Sequence, residues 1–242
     1  MIFTVLTNKN IAPAVYEMTL SGDTSNLHSP GQFVNIEIEG LFLRRPISVC
    51  DWSEDKLTLI YKVVGKGTAK MAAMGFGHEP DILVGLGNGF DTDVETERPL
   101  LIGGGVGVPP MYALAKDLIA QGKKTTVIMG FNTQSEIFYQ HEFEQLGAKV
   151  IICTADGSAG IKGFVTAAMD TPHDHIFACG PEPMLRAIYK QSGDTPAQLS
   201  FEERMGCGFG ACMGCSCRTL TGNVRICVEG PVMRKEAIAW NV

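Results

Sequence analysis

Cysteines crowd one short stretch near the end of this chain, "CGFGACMGCSC", from Cys207 to Cys217. Cys227 follows, and only Cys50, Cys153 and Cys179 precede them. A secreted disulfide scaffold is short and spreads its cysteines along its length. Here they gather at one end of a longer chain, which points to metal ligation. The spacing is Cys207-x4-Cys212-x2-Cys215, then eleven residues to Cys227. That is the plant-type [2Fe–2S] pattern, in which one loop brings three thiolates to a flat two-iron rhomb. Gly206, Gly208, Gly210 and Gly214 let such a loop pass close to the sulfurs and aim amide N–H groups at them. Two plainer readings compete. A four-cysteine zinc site pairs two knuckles, which a solitary last cysteine fits less well, and the thiols could also be unligated. The candidate metal ligands are therefore Cys207, Cys212, Cys215 and Cys227, the last on a strand-like piece, "VRICVEG". Cys217 is expected to lie nearby without ligating, and Cys50 and Cys153 to be small buried hydrophobes.

The chain has 242 residues, 45% hydrophobic and 19% charged, enough for two domains or slightly more. Its net charge is −6, and it has no run of lysine or arginine, so nucleic acid and anionic membranes are poor partners. No apolar stretch is long enough to span a bilayer. The opening "MIFTVLTNKNIAPAV" lacks a basic segment followed by an apolar one. The expected compartment is the cytoplasm.

Two patterns divide the chain before the cysteines. Up to about residue 96, "VYEMTLSG", "GQFVNIEI", "KLTLIYKVV" and "DILVGLG" read as short strands broken by turn residues. One short helix is expected at "GTAKMAAMG". This predicts an N-terminal antiparallel β-barrel over residues 1–96. Over residues 97–196 strands alternate with helices: "LLIGG", "VPPMYALAKDLIAQG", "KTTVIMGF", "IFYQHEFEQLG", "AKVIICTA", "GFVTAAM", "HIFACG" and "PEPMLRAIYKQS". That alternation predicts a parallel-sheet α/β domain. Residues 197–242 form the small cysteine- and glycine-rich region.

Each half offers a phosphate-binding pattern. "LLIGGGVGVPPM" puts Gly103, Gly104, Gly105 and Gly107 between a strand and a helix, where amides and the helix dipole can meet a pyrophosphate. The run is G-G-G-x-G, so a tight strand-to-helix turn is the alternative. Cys179 and Gly180 follow the last strand at the carboxyl end of the sheet, though Cys179 also reads as a buried core thiol. The segment "GFNTQSE" lacks the arginine that a 2′-phosphate would want, which favours NAD over NADP. In the first half, Arg45 of "LRRPISV" is a natural pyrophosphate clamp, Ser48 can bond a flavin edge, and Gly67-Thr68 opens the short helix. An Arg-Arg pair in a strand is otherwise a solvated face.

Taken together, "RPIS", "KGT", "GGGVGVPP", "CGPEPM" and "MGCGFGACMGCSC" with its following "EGPV" resemble the ferredoxin–NADP reductase superfamily. Within it the chain resembles the electron-transfer subunits of dihydroorotate dehydrogenase B, over essentially its whole length. The resemblance implies FAD held around Arg45, Pro46, Ile47 and Ser48, around Ile60, Tyr61 and Lys62, and at Gly67 and Thr68. It implies one [2Fe–2S] cluster on the four cysteines and NAD near Gly103 to Gly107 and Cys179-Gly180. It implies an FMN-containing dihydroorotate dehydrogenase catalytic subunit as partner, two of each chain, with electrons passing through the cluster and FAD to NAD+ in pyrimidine biosynthesis. A γ-type flavin/iron–sulfur subunit of another enzyme, such as a sulfhydrogenase or a ferredoxin–NAD(P) reductase, would share these motifs. Met233 after "GPV", where that family often carries Phe, and a short loop between Cys215 and Cys227 are departures beside the expected partner surface.

Overall fold

A computed structural model describes residues 1–240. The first half holds β1 (Thr4–Ala12), β2 (Val15–Ser21), β3 (Phe33–Ile36), β4 (Arg45–Trp52), β5 (Lys56–Lys62), α1 (Lys66–Ala72) and β6 (Ile82–Leu86). The strands form one antiparallel sheet in the order β1-β2-β5-β4-β3-β6. Alternate side chains point inward: Val5, Met18, Leu20, Val34, Ile36, Leu57, Leu59 and Ile82 fill one core. The edges of the sheet meet at one end, where Phe3 N donates to Pro80 O, Val5 N to His78 O and Ile82 N to Met1 O. The sheet is therefore curled and barrel-like, as expected from the alternation.

The second half holds β7 (Pro99–Gly104), α2 (Pro110–Ala120), β8 (Thr126–Phe131), α3 (Gln140–Leu146), β9 (Lys149–Thr154), β10 (Ile161–Lys162), β11 (His175–Cys179), α4 (Glu182–Gln191) and β12 (Ala197–Ser200). These strands are parallel, in the order β10-β9-β8-β7-β11-β12. Every residue of β11 is buried, as a central strand covered on both faces requires. Helix α3 is shorter than its apolar pattern predicts. Tyr139 takes a left-handed φ of 64°, which breaks the helix there, and Phe138 packs into the core from an extended segment. "GFVTAAM" forms only a 3-10 turn, Val165–Ala168.

After β12 the chain runs through the cysteine loop, the hairpin β13 (Ser216–Thr219) and β14 (Gly222–Arg225), and then β15 (Val232–Arg234). Strand β15 returns to pair antiparallel with β12, completing a seven-stranded sheet. The cysteine segment thus leaves the sheet and comes back to it. Cys215, Ile226, Cys227, Met233 and Ile238 share a core with Leu100, Ile102, Leu185 and Leu199. Cys227 itself lies in the turn after β14 rather than on a strand, a correction to the sequence reading. Glu229 accepts from the Arg225 amide (2.6 Å), and Cys227 N donates back to Cys215 Sγ (3.4 Å), which closes that turn.

The two sheets are packed together. Ala12, Val15, Cys50 and Ile60 from the first join Leu101, Met111, Leu114 and Phe177 in one core. At its rim Lys116 Nζ bonds both carboxylate oxygens of Asp51 (3.0 Å), and the Tyr139 hydroxyl donates to Glu17 (2.8 Å). Among the described residues no helix is long and apolar enough to cross a membrane.

Candidate functional site

Two clefts lie where the sheets face each other. The first, about 360 Å³, is walled by Arg45, Pro46, Ile47 and Ser48 of β4, by Ile60, Tyr61 and Lys62 of β5, and by Thr68. Cys179, Ser200, Phe201 and Glu202 close it from the other sheet. The two arginines differ. Arg44 is committed to the Asp81 carboxylate (2.8 Å) and to Glu37, whereas Arg45 donates hydrogen bonds to the backbone carbonyls of Leu43 and Arg44. Among the described residues Arg45 has no carboxylate partner, so its guanidinium is available to an anion in the cleft. It also lies over Gly67, where a Cβ would sit 2.1 Å from its Nε. Gly67 is there because the arginine passes so close. The Thr68 hydroxyl accepts from Val64 N (2.9 Å) and Gly65 N (3.2 Å), so that side chain caps α1.

The second cleft, about 610 Å³, opens at the carboxyl ends of the parallel strands, where ligands of such sheets bind. Gly104, Gly105, Gly130, Asn132, Glu136 and Met184 are among its walls. The glycine run splits in use. Gly104 and Gly105 face the cleft, with Gly105 at φ +53°. Gly103 and Gly107 serve packing: a Cβ would stand 2.7 Å from Val108 Cα in one case and 2.2 Å from Cys179 O in the other. Gly180 is likewise pressed against Met184. Cys179 lies on the wall of the first cleft, and burial pushes its thiol up to about 12.

Lys62, Val106 and Glu202 line both clefts, so ligands in the two would meet there. Lys62 also pairs with Glu136 across the second cleft (3.8 Å). Desolvation by the cleft walls raises the Glu202 carboxyl above its ordinary value, although the side chain is exposed to the cleft. At the end of β8, Glu136 accepts from Asn132 N (3.1 Å) and Nδ2 (3.0 Å), placing a fixed carboxylate where "GFNTQSE" lacked an arginine. Sequence reading missed Val106, Glu136 and Glu202. The absent arginine was the signal that could have led to Glu136; nothing local marks the other two.

The four cysteines come together as two pairs. Cys207 N donates to Cys212 Sγ (3.4 Å), and Cys227 N to Cys215 Sγ (3.4 Å). Amides of Ala211 and Gly214 donate to Cys207 Sγ (3.2 Å) and Cys212 Sγ (3.4 Å). Gly208 (φ +79°) and Gly210 (φ +94°) make those turns possible. Burial raises the Cys207 thiol, but amide hydrogen bonds from Phe209, Cys212 and Ala211 outweigh it and bring the group down to about 6. Burial and the neighbouring Cys215 push Cys227 up to about 12, so iron would have to displace that proton. Among the described residues no three His, Cys, Asp or Glu side chains converge on one ion. Two thiol pairs in a nest of amides suit a two-iron rhomb, two sulfurs to each iron, better than a single tetrahedral zinc. Cys217, on β13, is in neither pair.

A curled antiparallel sheet, a parallel nucleotide-binding sheet and a C-terminal iron–sulfur loop define the ferredoxin–NADP reductase-like class of electron-transfer flavoproteins. The comparisons agree. The iron–sulfur cluster binding domain of dihydroorotate dehydrogenase B matches residues 202–239, and an oxidoreductase NAD-binding domain matches residues 101–190. The electron transfer subunit of dihydroorotate dehydrogenase B (NAD(+)) from Geobacillus sp. (strain WCH70) is 42% identical, over 96% of this chain and 95% of its own. The one from Bacillus pumilus (strain SAFR-032) is 40% identical over 98% and 96%. This chain belongs to that family of electron transfer subunits. A solved structure of an NADH-dependent reduced ferredoxin-NADP oxidoreductase, studied for flavin-based electron bifurcation, superimposes with a TM-score of 0.89. It is 30% identical and covers 99% of this chain and 90% of its own. Phthalate dioxygenase reductase shares the fold, with a TM-score of 0.66 at 15% identity over 91% and 86%.

Proposed function

We propose that this chain receives electrons from an FMN-containing dihydroorotate dehydrogenase subunit at its thiol loop and delivers them to NAD+ in the second cleft. The two chains would assemble as two of each, in the cytoplasm, within pyrimidine biosynthesis. The observation that carries the reading is the meeting of the two clefts at Lys62, Val106 and Glu202, with the paired thiols packed against the same wall through Phe33.

In this reading residues 1–96 hold FAD, residues 97–196 hold NAD and residues 197–242 hold the cluster. Arg45 binds the FAD pyrophosphate, and Pro46, Ile47, Ser48, Ile60, Tyr61 and Lys62 shape the slot for the ring, with Gly67 and Thr68 below. When bound, FAD supplies the exchange between one-electron carriers and the two-electron hydride of NAD. Cys207, Cys212, Cys215 and Cys227 ligate the irons, and the amides around them stabilise negative charge on sulfur. Gly104 and Gly105 admit the dinucleotide close to the backbone, and Gly103, Gly107 and Gly180 keep the turn tight enough to do so. Val106 closes the junction against water, and Lys62 and Glu202 set the charge where nicotinamide and flavin touch.

The likeness to the NADH-dependent reduced ferredoxin-NADP oxidoreductase favours one other reading, a γ-type subunit serving a different oxidoreductase. Co-purification with the FMN subunit, followed by an assay for dihydroorotate-dependent NADH formation, separates the two. NADH that appears only with both chains present supports the first reading. A chain that oxidises NADH with artificial acceptors but never couples to dihydroorotate supports the second.

A further inference from the structure

Strand β3 separates the first cleft from the thiol loop, and its two faces do different work. Val34 and Ile36 point into the barrel core. Phe33 and Asn35, two residues apart, share the opposite face. Phe33 lines the first cleft and packs in the core that contains Cys215 and Cys227. Asn35 is 1% exposed, and its Nδ2 donates to the carbonyl of Cys207 at 3.0 Å. A carbonyl only accepts, so the amide orientation is fixed, and Oδ1 is left as a buried side-chain atom with no partner among the described residues. Buried polar groups almost always find partners, and leaving one unmade is destabilising. An apolar residue at this position would avoid that penalty. Opposite the asparagine the chain has made room: Gly208 sits at φ +79°, and a Cβ there would stand 2.4 Å from Asn35 Nδ2.

We propose that Asn35 is a positioning residue, a bolt from the flavin barrel to the backbone of the first iron ligand that fixes the cluster against the wall of the FAD cleft. The inference rests on the two-iron reading of the cysteines. It acts through the Cys207 carbonyl. A hydrogen bond placed just outside a metal's ligands holds them in the binding geometry, and its loss weakens metal retention.

The test uses the full chain carrying its FAD and iron, with Asn35→Leu and Asn35→Asp. Leucine removes the donor and the orphaned acceptor together; aspartate keeps the shape and, when ionised, puts a second acceptor and a negative charge where the donor was. Iron release to a chelator is expected to quicken about tenfold in both. The electron paramagnetic resonance lines of the reduced cluster are expected to shift, with FAD content unchanged in both and the thermal midpoint of Asn35→Leu no lower than the parent's. Parental release rates and lines in an iron-loaded Asn35→Leu overturn the inference. So does parental behaviour in Asn35→Asp at a pH where its carboxyl is ionised, beside loss in Asn35→Leu, because shape and not the donated hydrogen bond would then be responsible. Equal loss of FAD, fold and iron in both variants assigns Asn35 to general stability and overturns it as well. A parental chain that binds no iron overturns the cluster reading, and this inference with it.

Discussion

At the scale of single residues, the assignment can be tested where one side chain sits against another. Gly67→Ala places a methyl where the Arg45 guanidinium lies, at an ordinary helical φ where alanine itself is favoured. The fold is expected to hold, while FAD is retained about tenfold more weakly, as displacing one charge-assisted hydrogen bond would give. Flavin titration of the apoprotein reads the outcome. Glu136→Arg exchanges a carboxylate for a phosphate clamp, and the affinity ratio of NADP to NAD should rise about tenfold by calorimetry. Glu202 gives a pH dependence. Desolvation at the cleft wall raises its carboxyl, so the fold favours the neutral form, only weakly because the side chain is exposed. That contribution is fully present below the unfolded value and is lost as pH rises through the folded value. Glu202→Gln should therefore gain a small amount of stability relative to the parent between acid and neutral pH, which urea midpoints at the two pH values measure. A difference that does not change with pH would mean the carboxyl is fully solvated. Arg45, Ser48, the cysteines and the cleft-facing glycines were legible because their chemistry is written in short local patterns. Glu202 and Asn35 were not, because each is defined by what another sheet brings to it.

At the scale of elements, the pattern carried what periodicity can carry. The barrel strands and the β7 to α4 alternation followed the expected alternation and helical repeat, and Pro110 opens α2. Helix α3 departed because Tyr139 gives its hydroxyl to Glu17 on β2, and the left-handed turn that allows this ends the helical run. Strands β12, β13 and β15 went unread, and β14 was read a few residues late as "VRICVEG": they are short, half polar, and make sense only as a hairpin and a sheet edge. Asp174, just before β11, ties that strand to the start of β7 by accepting from Thr96, Glu97 N and Arg98 N. Burial opposes its ionisation, but those hydrogen bonds win and hold the carboxyl below its usual value. Its stabilisation is present above the unfolded carboxylate value and is lost as pH falls through the folded one. Asp174→Asn is expected to cost about 1 kcal/mol at neutral pH and progressively less in acid, by denaturant midpoints.

At the scale of the molecule, the halves are not separable pieces. One core joins the two sheets, and another joins the parallel sheet to the cysteine segment. Removing residues 201–242 takes Phe201, Cys215, Ile226, Cys227 and Met233 out of that second core. It also strips β15 from the side of β12. The truncated chain is expected to aggregate rather than persist as a smaller flavoprotein, which sedimentation would show. The composition of the tail suggested an appendix around an inorganic centre; its role as the last wall of the sheet depends on pairing that composition does not reveal.

Strand β15 reaches β12 only after the chain has travelled through the thiol loop. Sheet completion therefore waits on a segment whose turns, in the two-iron reading, a bound cluster would lock. A newly made copy that met no iron would then leave the β12 edge exposed more often, the kind of surface that chaperones and proteases engage. The abundance of the protein in a growing cell would then follow iron supply even at constant message. An immunoblot across iron-replete and iron-starved cultures, with transcript measured alongside, would show whether the nutrient sets the protein level through the sheet.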